Sequence, residues 1–327
     1  MKPTPPRPLQ NTIALVAGAT RGAGRGIATM LGEAGATVYC TGRSVRGAPA
    51  TGKRPETIEE TAELVTANGG QGIAVQVDHS QEPQVEALLA RIREERGRLD
   101  LLVNDVWGGD ALTDFSKPFW EQSIEAGRTM IDRAIFTHLI TAKHAVPLLK
   151  QSPRPLLVEI TDGDTFAYRG NIFYDLVKTA IIRLAFVYAR ELRATNITSV
   201  AVTPGFLRSE EMLDHFGVTA DTWRDGAQKD PNFIASETPA FVGRAIAALA
   251  ADPDVHRKNG RVFASWTLSD EYGFIDADGT RPHWGNHFQA TYGAEMSDSL
   301  GWKALDDTFY AYWRADYLDL TSPDGIS

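Results

Sequence analysis

From Thr12 to about Phe263 the apolar positions form short, near-continuous runs separated by longer stretches with helical spacing. Runs that are apolar throughout suit strands buried on both faces. Their alternation with helices is the signature of βαβ units feeding one parallel sheet. Seven strands are predicted, over Ile13–Ala17, Thr37–Thr41, Ile73–Val77, Leu99–Asn104, Pro155–Thr161, Thr198–Thr203 and Arg261–Ser265. Between the third and fourth, Val85, Leu88, Leu89 and Ile92 recur on one helix face, with Arg91, Arg93, Glu94 and Glu95 opposite and Gly97 as the stop. Further helices are predicted over Arg25–Gly35, Glu56–Ala67, Glu121–Leu149, Phe173–Ala194 and Pro239–Ala251. Asn68-Gly69-Gly70 closes the second of these with residues that tolerate positive φ. The predicted class is α/β, a doubly wound parallel sheet with helices on both faces.

The pattern divides the chain into three parts. Residues 1–11, with four prolines before Gln10, read as a flexible lead-in; residues 12–266 carry the alternating pattern; residues 267–327 form an extension rich in Gly, Trp and Tyr. The aromatics of that extension, Trp284, Trp302, Tyr310, Tyr312 and Trp313, are expected to pack it onto the domain or a neighbouring subunit. The competing reading is that they roof a substrate site.

Composition narrows the function classes. With 43% hydrophobic and 23% charged residues, 327 residues suffice for a sizeable core. A net charge of -9 opposes a nucleic-acid surface, which needs clustered Lys and Arg. One cysteine, Cys40, cannot form an internal disulfide and fits a reducing compartment, so the cytoplasm is expected. No apolar run is long enough for a membrane span or a signal peptide.

Chemistry enters after the first strand, where Gly18-Ala19-Thr20-Arg21-Gly22-Ala23-Gly24 leads into a helical pattern. Glycines at a strand-to-helix junction let backbone N–H groups approach a pyrophosphate, and the helix points its positive dipole end at the same charge. The context is that of a Rossmann-type dinucleotide site. NAD-selective sites place an acid at the end of the second strand, whereas this strand ends Cys40-Thr41-Gly42-Arg43-Ser44. Arg21 and Arg43 suit a 2'-phosphate, so the expected cofactor is NADP(H), while Arg46, Lys53 and Arg54 beyond are read rather as an ordinary solvated loop.

Of nine tyrosines, only Tyr174 has a lysine four residues on, Lys178, which puts both side chains on one helix face. An ammonium beside a phenol lowers the phenol pKa, so that the pair can exchange a proton with a substrate oxygen.

Taken in order, Gly18-x-x-x-Gly22-x-Gly24, Asp78, Leu102-Val103-Asn104, Tyr174-x-x-x-Lys178 and Pro204-Gly205 resemble the short-chain dehydrogenase/reductase family over about residues 12–265. The resemblance implies hydride transfer between a nicotinamide and a carbonyl or alcohol, a small-molecule substrate, and a homodimer or homotetramer. It also implies that Asp78 and its neighbour His79 lie at the adenine, Asn104 lines the cofactor cleft, Lys178 holds the nicotinamide ribose, and Pro204, Gly205 and Ser209 border the nicotinamide. With these, the cofactor set comprises Gly18, Thr20, Arg21, Gly22, Ala23, Gly24, Arg43 and Ser44.

Two departures matter. The family serine at the end of the fifth strand is absent, and Thr161 or Asp162 takes its place in Ile160-Thr161-Asp162-Gly163. Thr161 keeps a hydroxyl. Asp162, if ionised, opposes a developing oxyanion and suits a cationic substrate; kept neutral by burial, it can donate a hydrogen bond. The family asparagine on the following helix is replaced by Arg133 or Ala134, and Trp107 stands beside the cofactor position. These changes leave open an imine or iminium reductase anchored by Asp162, and a catalytically silent NADP(H)-binding sensor. His283 and His287 have metal-ligand spacing but no third ligand, so no metal is expected.

Overall fold

The structure, a computed structural model, describes residues 7–48, 50, 54–165 and 167–298, with side chains to 293. Seven strands form one sheet in the order β3-β2-β1-β4-β5-β6-β7, every pairing parallel. The strands are β1 (Ile13–Ala17), β2 (Thr37–Gly42), β3 (Gln71–Gln76), β4 (Leu101–Asn104), β5 (Leu156–Ile160), β6 (Thr198–Thr203) and β7 (Val262–Ala264). The central strands β1, β4, β5 and β6 are buried at every position, which explains their unbroken apolar runs. The parallel Rossmann-like sheet read from the alternating pattern is the observed fold.

Helices α1 (Gly22–Glu33), α2 (Ile58–Ala67), α3 (Glu82–Arg96), α4 (Ile124–Ile131), α5 (Thr137–Leu149), α6 (Ile172–Glu191), α7 (Glu210–Phe216), α8 (Pro239–Ala251), α9 (Ser265–Tyr272) and α10 (Trp284–Asp298) surround it. One core, including Val16, Ile27, Leu31, Val103, Val158 and Ile246, lies between the sheet and α1 and α8. A second, including Leu15, Leu88, Ile92, Leu102 and Leu148, lies on the face of α3 and α5. Helices α1 and α8 cross backbone to backbone: a Cβ on Gly26 would overlap the Pro239 carbonyl, and one on Gly243 would lie 2.6 Å from Gly26 O. That close crossing fixes where α1 begins, and hence where its N-terminus points.

Several elements differ from the pattern-based expectation. The predicted helix over Glu121–Leu149 is broken into α4 and α5 by a π-helical turn at Asp132–Phe136, which widens the helix beside the cleft. Leu9, in the segment before β1, is buried at 1% exposure and its N–H bonds Ala34 O at 2.9 Å, while its neighbours Arg7, Pro8, Gln10 and Asn11 are exposed. Beyond Thr267, where no regular structure was expected, α9 and α10 form; Gly273, at φ 77, ends α9. Between β6 and α8, where no element was assigned, Phe216, Trp223 and Phe233 build a small core of their own under α7. Trp302, Tyr310, Tyr312 and Trp313 lie outside the described residues, as does Lys53.

Candidate active site

At the C-terminal ends of β1, β4, β5 and β6 the sheet opens into a cleft of about 1500 Å³. That is room for a dinucleotide and a small substrate together, since single-ligand pockets run from about 300 to 1,000 Å³. One end is the glycine loop. Gly18 has φ +94, and a Cβ there would fall 2.5 Å from Asp105 O, so only glycine serves. Gly18, Thr20, Arg21, Gly22 and Ala23 line the cleft; Gly24 does not, because it is buried where a Cβ would overlap Gly18 O. Its part is to let α1 approach β1.

Arg43 and Ser44 line the cleft at the exit of β2. The Arg43 guanidinium forms no hydrogen bond or ion pair among the described residues, while the Asp78 carboxylate lies within electrostatic reach. The other described candidate cations are engaged. Arg21 lies 3.5 Å from Glu56, Arg54 makes a bidentate pair with Glu56 and a 2.8 Å bridge to Asp214, and Arg46 pairs with Glu63 on the surface. Burial raises the Glu56 pKa, but the Arg54 hydrogen bonds, a backbone N–H and the charges of Arg54 and Arg21 together outweigh it, and the net direction is down.

Two expected cofactor residues turn away from the cleft. The Asn104 carboxamide, fully buried, donates to Glu159 Oε1 at 2.8 Å and so belongs to the core, because β4 alternation points it down between β5 and α5. Its neighbour Asp105 faces the cleft instead. His79, 3% exposed, has its ring between Thr41 and Thr141, 2.8 Å from each hydroxyl, so only its edge of backbone borders the cleft; burial pushes its pKa down to about 4. Asp78 does line the cleft, held by Ser80 N–H and O–H at 3.0 and 2.7 Å. Pro204, Gly205 and Ser209 border the same space, Ser209 capping α7 through Met212 N.

The other end of the cleft holds Tyr174 and Lys178, one turn apart on α6 as their spacing requires. Asn171 caps α6 by accepting from Phe173 N and Tyr174 N, which sets the first turn. Of the two candidates after β5, Asp162 faces the tyrosine: the Tyr174 hydroxyl donates to Asp162 Oδ2 at 2.9 Å. The Thr161 hydroxyl instead donates to Lys178 O at 2.7 Å, bracing α6 from behind. The Asp162 backbone is fixed by Arg169, whose Nε donates to Asp162 O at 2.6 Å while its Nη1 pairs with Asp175. Gly163, at φ 73, makes the turn and bonds Thr203 Oγ1 through its N–H.

Burial and the Asp162 carboxylate together drive the Tyr174 pKa well above that of a free phenol, so the hydroxyl keeps its proton in this geometry. Burial lowers the Lys178 pKa, against the pull of Asp162, Asp105 and Asp110. Its ammonium sits over the Trp107 ring at 4.3 Å and makes no hydrogen bond or ion pair among the described residues. Asp105, half-buried beside the glycine loop, is pushed up to about 7 by desolvation.

Residue-by-residue reading of the chain missed two features, and for a third, Trp284, it carried the cleft position only as the competing reading. Glu210, the first residue of α7, accepts from Gly22 N at 2.8 Å and so occupies the N-terminus of α1. Glu237, fully buried and pushed up to about 8 by desolvation, accepts from Gly205 N and Ser265 Oγ and anchors the Pro204-Gly205 turn. Trp284 lines the cleft, stacked edge-on to Phe206, so the roofing reading describes where its side chain lies. None of the three has a local spacing signal, because each acts across more than twenty residues of sequence.

Residues 12–216 match the family model described as short chain dehydrogenase. The chain belongs to the short-chain dehydrogenase family. It is 33% identical over 300 residues to dehydrogenase/reductase SDR family member 1 of Mus musculus, covering 90% of this chain and 92% of that protein. It is 30% identical over 258 residues to a 3-oxoacyl-(acyl-carrier-protein) reductase of Vibrio harveyi, covering 77% and 98%. Among solved structures, a short chain dehydrogenase from Mycobacterium thermoresistibile superposes with a TM-score of 0.69 at 19% identity, over 85% of this chain and 92% of that one, a likeness of fold. As a member of this family the chain is an oxidoreductase of the kind that binds a nicotinamide cofactor and acts on a small molecule. No helix among the described residues is long and apolar enough to cross a membrane.

Proposed function

We propose that this short-chain dehydrogenase is an NADP(H)-dependent oxidoreductase that moves a hydride between nicotinamide and a carbonyl or alcohol substrate, with Tyr174 as general acid/base assisted by Lys178. The observation that carries the reading is the layout of one cleft: a glycine loop and the unpaired Arg43 at one end, the Tyr174, Lys178 and Asp162 group at the other. The chain's own residues fit the cofactor. Gly18 and Gly22, both at positive φ, bring the loop and the start of α1 to the cleft wall, where a pyrophosphate would take the Gly22 N–H from Glu210, and Arg43 offers a bidentate guanidinium to a 2'-phosphate.

Bound there, the reduced nicotinamide supplies the hydride. Tyr174, which keeps its proton, then serves as the acid in the reductive direction, and Lys178 offsets the charge left on the phenol oxygen. Asp162 aims the tyrosine hydroxyl, and Thr161 supports the helix that carries both residues. Self-association into a homodimer or homotetramer is part of the proposal, supported by the exposed apolar residues Ile124 on α4 and Leu176 on α6.

The test is Tyr174→Phe. Turnover over a panel of ketones and aldehydes should fall by about 10² to 10⁴-fold, the usual worth of general acid–base catalysis, with NADPH affinity nearly intact. Unchanged turnover would remove Tyr174 from the mechanism.

A further inference from the structure

Asp162 stands where a developing oxyanion would be least welcome, within hydrogen-bond reach of the hydroxyl that must meet the substrate. It is not alone. Asp110 lies in the same part of the cleft, accepting from Trp107 Nε1 at 2.6 Å and within electrostatic reach of both Tyr174 and Lys178. Glu211, at the start of α7, lines the cleft from the opposite wall, has no hydrogen bond or ion pair among the described residues, and feels the Asp110 charge. Among the described groups that line this end of the cleft, the Lys178 ammonium alone faces these three carboxylates; the Arg169 charge also reaches Tyr174 and Lys178, but from behind Asp162, where it is paired with Asp175. Of the remaining cleft arginines, Arg133 donates to Gly108 O, Arg21 lies 3.5 Å from Glu56, and the unpaired Arg43 stands at the exit of β2.

The walls between these carboxylates are aromatic. Trp107 and Phe115 pack edge-on to Tyr174 at 5.4 and 5.7 Å, and Phe206 with Trp284 closes the far side. Aromatic faces combined with carboxylates form a receptor for a weakly hydrated cation, and the Trp107 face already lies under a charged nitrogen, the Lys178 ammonium.

We infer that the substrate of this site carries a cationic nitrogen at, or next to, the carbon that exchanges the hydride, and that Asp162 is the residue that selects it. The inference rests on the hydride-transfer reading above and names its substrate class. Two sources share this chemistry. In an iminium ion the hydride adds to carbon, the C=N π pair passes to nitrogen, the charge is cancelled and no proton is needed, while the reduced nicotinamide is oxidised. In an amino ketone the ammonium pairs with Asp162, the hydride adds to the carbonyl carbon, the C=O π pair passes to oxygen, and Tyr174 gives that oxygen its proton. In both, the substrate charge offsets a carboxylate that would otherwise oppose the reaction.

The experiment has a binding arm and a turnover arm, both with the full chain. Binding of choline and of its uncharged carbon isostere dimethylbutanol to the NADP-loaded protein is followed by tryptophan fluorescence, with Trp107 and Trp284 as reporters. The charged ligand should bind at least about tenfold tighter, and the preference should collapse in Asp162→Asn and shrink in Glu211→Gln, whose folding is checked by circular dichroism and NADPH affinity. Equal binding of the two ligands, or a preference that survives Asp162→Asn, would overturn the inference alone. In the turnover arm, N-methyl-dihydroisoquinolinium, aminoacetone and the neutral ketone tetralone are offered with NADPH. Preference for the first identifies an iminium, preference for the second an amino ketone, and preference for tetralone contradicts the proposal while leaving hydride transfer intact. Choline binding that depends on Asp162, with turnover of none of the three, would instead contradict the hydride-transfer reading and the reacting carbon assigned here.

Discussion

The Tyr174 hydroxyl donates to Asp162 Oδ2 at 2.9 Å, so a carboxylate, not a hydroxyl, faces the tyrosine at the reactive end of the cleft. This contact sets the protonation state of the tyrosine, because burial and the adjacent carboxylate both favour the neutral phenol. Proton donation, rather than abstraction, is the direction the geometry prepares.

Arg43 is the cation that the fold leaves unpaired at the exit of β2. Arg43→Ala should weaken NADPH by about 10 to 100-fold, the worth of losing hydrogen bonds to a charged group, and NADH by less than about twofold. Isothermal titration with both cofactors checks this, and equal weakening would contradict a phosphate contact.

Asp105 makes cofactor binding sensitive to pH. Burial raises its pKa to about 7, so the side chain is neutral below that value and a carboxylate above it, next to the loop where a pyrophosphate would bind. NADPH affinity should therefore fall several-fold between about pH 6 and 8, and Asp105→Asn should flatten the profile. The same raised pKa means that the stability Asp105 contributes is complete below the ordinary carboxylate range and lost as pH rises through about 7. The Asn variant should accordingly gain more in Tm relative to the parent at pH 8 than at pH 5. A parallel pair of Tm profiles would contradict this assignment.

Glu210 holds the N-terminus of α1 by accepting from Gly22 N, with Arg25 at 3.9 Å from its other oxygen. A pyrophosphate at the same amide must displace it, since two anions cannot share one donor at that distance. Glu210→Ala should tighten NADPH by about 2 to 10-fold, within the range of a helix-dipole contact, with a faster association rate at low salt. Stopped-flow binding measures both; weaker binding would mean that Glu210 supports the cofactor.

The fold was legible because its central strands are buried on both faces, so their composition alone marks them, and because Gly18, Gly97 and the Asn68-Gly69-Gly70 stop sit where the backbone demands them. Short-range spacing likewise carried Tyr174 and Lys178. What sequence left open was side-chain direction. Thr161 and Asp162 are neighbours, and only the Gly163 turn with the Arg169 clamp decides which faces the tyrosine. Asn104 was expected in the cleft, yet the pairing partner that draws it into the core, Glu159, is fifty-five residues away. The insertion under α7 and the helices after β7 were hidden because aromatic clustering there replaces a regular helical stripe.

The most direct test is a single turnover with NADPH deuterated at the transferable position of the nicotinamide, on a substrate that the panel shows to be reduced. The account predicts deuterium on the new carbinol or amine carbon and a primary isotope effect in the parent chain. When a carbonyl is reduced, Tyr174→Phe should form little labelled product in the same time. Reduced product without deuterium, or full labelled turnover of a carbonyl without the tyrosine hydroxyl, would contradict it.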